Sequence, residues 1–170
     1  MKRLLTSIVL ASILVLMTGL FNRAECGHRF GGGIHYLKTL GDIKDVPEWD
    51  SNAIGFIGSY QYSAGLLKFE GDLEWVLDYG GSDKTLFQPQ AWFILGGLIY
   101  GGIGIGGSYI DGDWLDNPFY GLRLGVDLAI GGIALDVFAS YQWQSSTVFD
   151  EIDQTDLDSI TFGAMVRFGK

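Results

Sequence analysis

The chain is poor in the residues that build most catalytic centres and most stapled small folds. Its 170 residues include one cysteine, two histidines and three prolines. A lone cysteine, Cys26, excludes an internal disulfide. No histidine or cysteine cluster offers a zinc-type ligand set. Positive charge is scarce as well, with 11 Lys and Arg against 20 Asp and Glu, a net charge of −9 and a pI near 4.4. A chain this acidic has no basic patch to neutralise phosphates, which excludes nucleic acid as a partner. Long apolar runs are missing after the N-terminal segment. Hydrophobic residues make up 48% of the chain, yet mean hydropathy is only +0.23, so they are dispersed rather than gathered into helical spans.

What the chain does have is glycine, at 26 residues, and aromatics, at 14%. That composition disfavours helices and suits strands joined by tight turns. The N-terminus reads as a secretory signal: Lys2 and Arg3, the apolar run Leu4 to Phe21, then small residues Ala24 and Cys26 before Gly27. Residues 1–26 are therefore expected to be cleaved and 27–170 to form one domain. An uncleaved anchor helix is the alternative, since the run reaches the lower end of spanning length. Lipid attachment at Cys26 fits poorly, because Glu25 and Arg23 stand where small and aliphatic residues belong.

Beyond the signal, units of about ten alternating residues recur, each followed by a connector. Eight are expected: Arg29–Lys38, Asn52–Tyr62, Leu66–Asp78, Leu86–Leu95, Leu98–Ile110, Phe119–Ile130, Ile133–Gln144 and Leu157–Phe168. The connectors Ser63 to Gly65, Gly96-Gly97 and Gly131-Gly132 are short and glycine-bearing, as tight hairpins require. The remaining connectors are longer and polar. Long and short alternate strictly, which is the order of an up-and-down antiparallel barrel with all its short turns at one end. Pro89 cannot donate to a ladder and is expected at the loop-side rim or a bulge.

In Leu66–Asp78, Leu67, Phe69, Leu73, Trp75 and Leu77 share one face, while Lys68, Glu70, Asp72 and Glu74 occupy the other. The wet face is decided by space. Eight strands enclose room for side chains or one small ligand, too little for all these aliphatics and aromatics. With the greasy face outward, the inward glycines Gly102, Gly104 and Gly106 leave room for long neighbours such as Trp92 and Arg123. Aromatics also gather at both strand ends, where amphipathic rings favour the membrane–water boundary. The expected girdles are Tyr36, Tyr60, Tyr62, Trp75, Tyr79, Tyr109, Tyr141, Trp143 and Phe168.

With its signal, eight alternating strands, sorted connectors and girdles, the chain resembles the small eight-stranded outer-membrane β-barrels of the OmpA/OmpX type over residues 27–170. The resemblance implies an all-β, eight-stranded antiparallel up-and-down transmembrane barrel in the cell outer membrane. It implies outer-membrane lipid, lipopolysaccharide and the barrel-assembly machinery as partners. That family usually ends on an aromatic residue, whereas here Gly169 and Lys170 follow Phe168.

The register points Lys68, Arg123 and Arg167 inward with Glu70, Asp72, Glu74, Asp127 and Asp136. Buried charges must be paired or they neutralise, so the expectation is a polar plug that fills the lumen; a narrow cation pathway is the alternative. The connectors carry further acid, notably Asp111, Asp113 and Asp116 and then Asp150, Glu151 and Asp153. These read as a solvated rim, with divalent-cation binding as the alternative. A lipid-modifying enzyme would need a serine–histidine arrangement. Only His28 and His35 are present, at no recognisable spacing from a serine. No catalysis and no cofactor are expected. The expected role is structural or loop-mediated, as a monomer; a soluble periplasmic lipocalin-like carrier fits the faces least.

Overall fold

The computed structural model describes residues 26–40, 50–81, 84–146 and 155–169. Among the described residues there are twelve strands: β1 (Cys26–Thr39), β2 (Asn52–Ala64), β3 (Leu67–Leu77), β4 (Leu86–Gly96), β5 (Ile99–Gly106), β6 (Tyr109–Ile110), β7 (Asp113–Trp114), β8 (Phe119–Ile130), β9 (Ile133–Trp143), β10 (Ser145–Ser146), β11 (Thr155–Asp156) and β12 (Ser159–Gly169). The eight long strands pair antiparallel in the order β3-β2-β1-β12-β9-β8-β5-β4, and pairing of β3 with β4 closes the ring. Closure leaves no edge, so every backbone donor in the wall has a strand beside it. The two-residue strands lie in the long connectors: β6 continues β5 beside β4 and pairs with β7, and β10 pairs with β11.

Barrel geometry follows from the registers. Starting at Arg29, the partners are Gln61, Glu70, Trp92, Gly104, Gly121, Gln142 and Ser159, and the circuit returns to β1 at Thr39, ten residues along. A shear of ten on eight strands gives a tilt of about 40° and a backbone radius of about 8 Å. A tube this narrow is filled by its own side chains.

Sidedness is read from exposure. Along β3 the greasy set Leu67, Phe69, Leu73, Trp75 and Leu77 is exposed, and the alternates Lys68, Glu70, Asp72 and Glu74 are buried. The same division holds in β8, where Leu122, Leu124, Val126, Leu128 and Ile130 face out. The short turns sit together at one end, with Gly65 and Gly131 at φ of +70° and +65°, the left-handed region that tight hairpins need.

Two expectations about the wall change. The unit Leu98–Ile110 is not one strand but β5 and β6, parted at Gly107-Ser108. The cause is Pro89, which lies inside β4 with no bulge: Gln90 pairs with Gly106 and Phe87 with Tyr109, three residues apart on both strands. Gly107 donates its N–H to the Pro89 carbonyl at 3.1 Å, and Pro89 has no N–H to return the bond. The ladder therefore opens at Pro89–Gly107 and the adjoining Gln88–Ser108, and resumes in the same register at Phe87 and Tyr109.

Candidate functional site

The lumen is built from the inward residues of all eight walls, in layers set by the shear. Nearest the short turns, Asp127 of β8 accepts from Lys68 of β3 at 2.6 Å and from Arg29 of β1 at 3.0 Å. Above it, Glu70 of β3 takes Arg123 of β8 on one oxygen and Arg167 of β12 on the other, each at 2.7 Å. Arg123 also reaches Asp72 at 2.8 Å, and Arg167 bonds Asp136 of β9. Tyr100 donates to Asp136 at 2.7 Å and Gln61 to Glu70 at 2.7 Å. Glu70 is thus held from two walls at once, and the layer is a set of struts across the bore.

Aromatic rings complete the struts. The Arg123 guanidinium lies 4.0 Å from the Trp92 ring centre and 4.5 Å from that of Phe138. A desolvated cation over an aromatic face is attracted by the ring quadrupole. Glycine makes the room: a Cβ on Gly104 or Gly121 would run into the Trp92 ring, one on Gly125 into Tyr100, and one on Gly163 into Phe138. The inward glycines are therefore docking sites for rings that cross the lumen.

The next layer toward the loops contains His35 and Glu74, both fully buried, with Nδ1 and Oε2 3.8 Å apart. Beyond them the bore divides. On one side Gln88 donates to Ser108 at 2.8 Å and Ser108 to Gln144 at 2.9 Å. On the other, Leu37, Ala53, Val76, Tyr79 and Leu86 form an apolar cluster.

All eight residues of the expected charge network, Lys68, Glu70, Asp72, Glu74, Arg123, Asp127, Asp136 and Arg167, lie buried in this lumen. Seven of them join the struts, while Glu74 stands apart beside His35. Arg29 was missed, although it alternates with Gly31, Gly33 and His35 on the inward face of β1. It makes the basic set four against five acids.

Of the expected girdle residues, Tyr36, Tyr60, Tyr62, Trp75, Trp143 and Phe168 are exposed on the outer wall, and Tyr109 and Tyr141 partly so. Tyr141 packs against Trp143 with the rings tilted by 59° and their centres 4.8 Å apart, and Tyr109 against Trp114 with a tilt of 60° at 5.3 Å. Trp114 and Tyr120, which were not expected there, are exposed on the same loop-side wall. Tyr79 is a correction: it is 6% exposed and belongs to the apolar cluster in the mouth. Strand β3 ends at Leu77, and Asp78 has a φ of +49°, so the chain turns and the alternation is lost. Burial pushes the Tyr79 hydroxyl up to about 12.

Asp111, Asp113 and Asp116 are exposed around the β6–β7 hairpin, where Asp111 pairs with Lys84 at 3.3 Å. Asp150, Glu151 and Asp153 lie outside the described residues. Among the described residues, no group of three or more His, Cys, Asp or Glu side chains is placed to hold a metal ion.

A closed eight-stranded wall, apolar outside and charged within, defines a small transmembrane β-barrel of the outer-membrane type. Solved structures of that type share the fold. Neisserial surface protein A is 18% identical with a TM-score of 0.60, over 85% of this chain and 99% of that one. Ail, the attachment invasion locus protein of Yersinia pestis, is 17% identical with a TM-score of 0.54, again over 85% and 99%. No protein-family model and no curated protein matches the chain.

Proposed function

We propose that the protein is a closed membrane body of the outer membrane, with a structural or loop-mediated interaction role, whose lumen is a plug rather than a pore. The observation that carries this reading is Glu70 clamped between Arg123 and Arg167, three side chains with no exposure, on strands that do not neighbour β3. To pass an ion, the bore would have to break these pairs and strand buried charges, at a cost of several kcal/mol each. The greasy outer wall takes lipid and lipopolysaccharide as its surroundings, and the barrel-assembly machinery inserts it. The long connectors, on the side away from the short turns, are what it presents to the exterior. Planar-bilayer recording of the refolded protein tests the plug. The expected trace is the bare-lipid baseline; a steady unit conductance would favour the narrow cation pore instead.

A further inference from the structure

Strands β1 and β12 close the ring although they are not consecutive in the chain. The pairings β2–β3, β4–β5 and β8–β9 are pinned by tight turns, which fix register. At the closing seam no turn does so. Sliding β12 by one residue would turn Phe162, Val166 and Phe168 inward and Arg167 outward, so the two faces of the wall bar it. Sliding it by two keeps every side chain on its own face. That slip changes the shear from ten to eight or to twelve. Something other than the faces must choose ten.

The inward pairs along the seam choose by size. Arg29 is opposite Gly169, Gly31 opposite Arg167, Gly33 opposite Met165, and His35 opposite Gly163. In each pair one partner is large and the other is glycine, and the large one changes sides along the seam: β1, then β12 twice, then β1. The fit is close. A Cβ on Gly31 would meet the Arg167 side chain, and one on Gly33 the Met165 backbone. One on Gly163 would meet the Phe138 ring and the His35 Cβ, and one on Gly169 the backbone of Arg29. Over Gly31, Arg167 crosses to Glu70 of β3, passing β1 and β2 on the way.

Either slip breaks this pattern. At a shear of eight, Arg29 would oppose Arg167 and Gly33 would oppose Gly163: two like charges, and an unfilled gap. At twelve, His35 would oppose Met165 and Gly31 would oppose Gly169: a crowded pair beside an empty one. In both cases β12 moves by two residues, about 7 Å, which takes Arg167 out of reach of Glu70. We propose that these inward pairs are a register code that selects the shear, and with it the width of the bore, when the barrel closes. The code needs only the closed wall. A conducting lumen would leave it in place.

Disulfide trapping on the outer wall reads the register. With the exposed Cys26 replaced (Cys26→Ser), Ile34→Cys is combined with Ala164→Cys, Phe162→Cys or Val166→Cys. These pairs stand opposite one another at a shear of ten, eight and twelve respectively. Only directly opposed residues bring their Cα atoms within disulfide range. Protein refolded in micelles is oxidised, its closed, heat-sensitive band is isolated, and the cross-link is read from boiled mobility with and without reductant. The unaltered seam should give the Ala164 cross-link alone. His35→Ala and Met165→Ala each remove the crowding that bars a shear of twelve. Each should add the Val166 cross-link in about a tenth of the closed protein or more, with none at Phe162. Arg29→Ala should slip the other way and add the Phe162 cross-link, since Arg167 already faces an alanine, Ala134, on its β9 side. If one variant to twelve does not close, the other reads the same slip. The Ala164 cross-link alone in every variant that closes overturns the proposal. So does a slipped cross-link in the unaltered seam, or a slip in the wrong direction. Failure of all three variants to close overturns it too, because the code predicts a slipped barrel rather than an open one.

Discussion

Arg123 and Glu70 stand on β8 and β3, two strands with β4 and β5 between them, and their side chains meet 2.7 Å apart inside the barrel. Neither has any exposed side-chain surface. A buried pair of this kind is weak evidence for net stabilisation, but breaking it leaves a charge with nowhere to go.

Arg123→Ala should therefore destabilise the barrel by about 3–5 kcal/mol, because Asp72 loses its cation and Glu70 loses one of its two, keeping only Arg167. Urea unfolding in micelles, followed by tryptophan emission, measures it. The emission itself should change, since Trp92 loses the guanidinium stacked on its ring. An unaltered unfolding midpoint would mean the struts do not hold the wall.

Glycine-to-alanine changes should separate the two faces. At Gly104 a Cβ collides with the Trp92 ring, so Gly104→Ala forces that ring to move and should cost about 1–3 kcal/mol. At Gly71 an added Cβ meets nothing within 4 Å, and Gly71→Ala should be close to neutral. Equal effects at the two sites would contradict the assignment of Gly104 to the lumen.

The outer wall predicts its own response to charge. Leu124 is 70% exposed in the apolar band. Leu124→Arg should cost about 2–4 kcal/mol when the protein is folded into lipid vesicles. In a water-facing wall the same change would be nearly silent. Comparing vesicle-folded protein with Leu124→Phe as the control gives the difference directly.

Much of the wall was legible in the residues because two-residue alternation is a local property. The strand Phe119–Ile130 runs between the same two residues as its expected unit, and most other boundaries shift by one to three positions. What was not legible depended on neighbours across the sheet. The parting of β5 from β6 is caused by Pro89, which is distant in sequence and adjacent only through the register. The inward turn of Tyr79 follows from the left-handed Asp78, a backbone state that alternation does not encode. Inward charge on β3 was plain from periodicity. Which carboxylate each cation would choose was not, since Lys68 pairs with Asp127, 59 positions away, and Arg29 joins the same carboxylate from β1. The separation of Glu74 from the strut network has the same origin: the shear, not the spacing along β3, places it beside His35.

The central claim is that the greasy face of the wall lies in lipid. Electrophoretic mobility of the protein in an isolated outer-membrane fraction, with and without boiling, tests it most directly. A closed barrel keeps its ladder in SDS until heated, so the account predicts a faster band unboiled and a slower one boiled, recovered with the membrane. Recovery in the soluble periplasm with one heat-independent band would contradict the account and turn the greasy face toward a ligand.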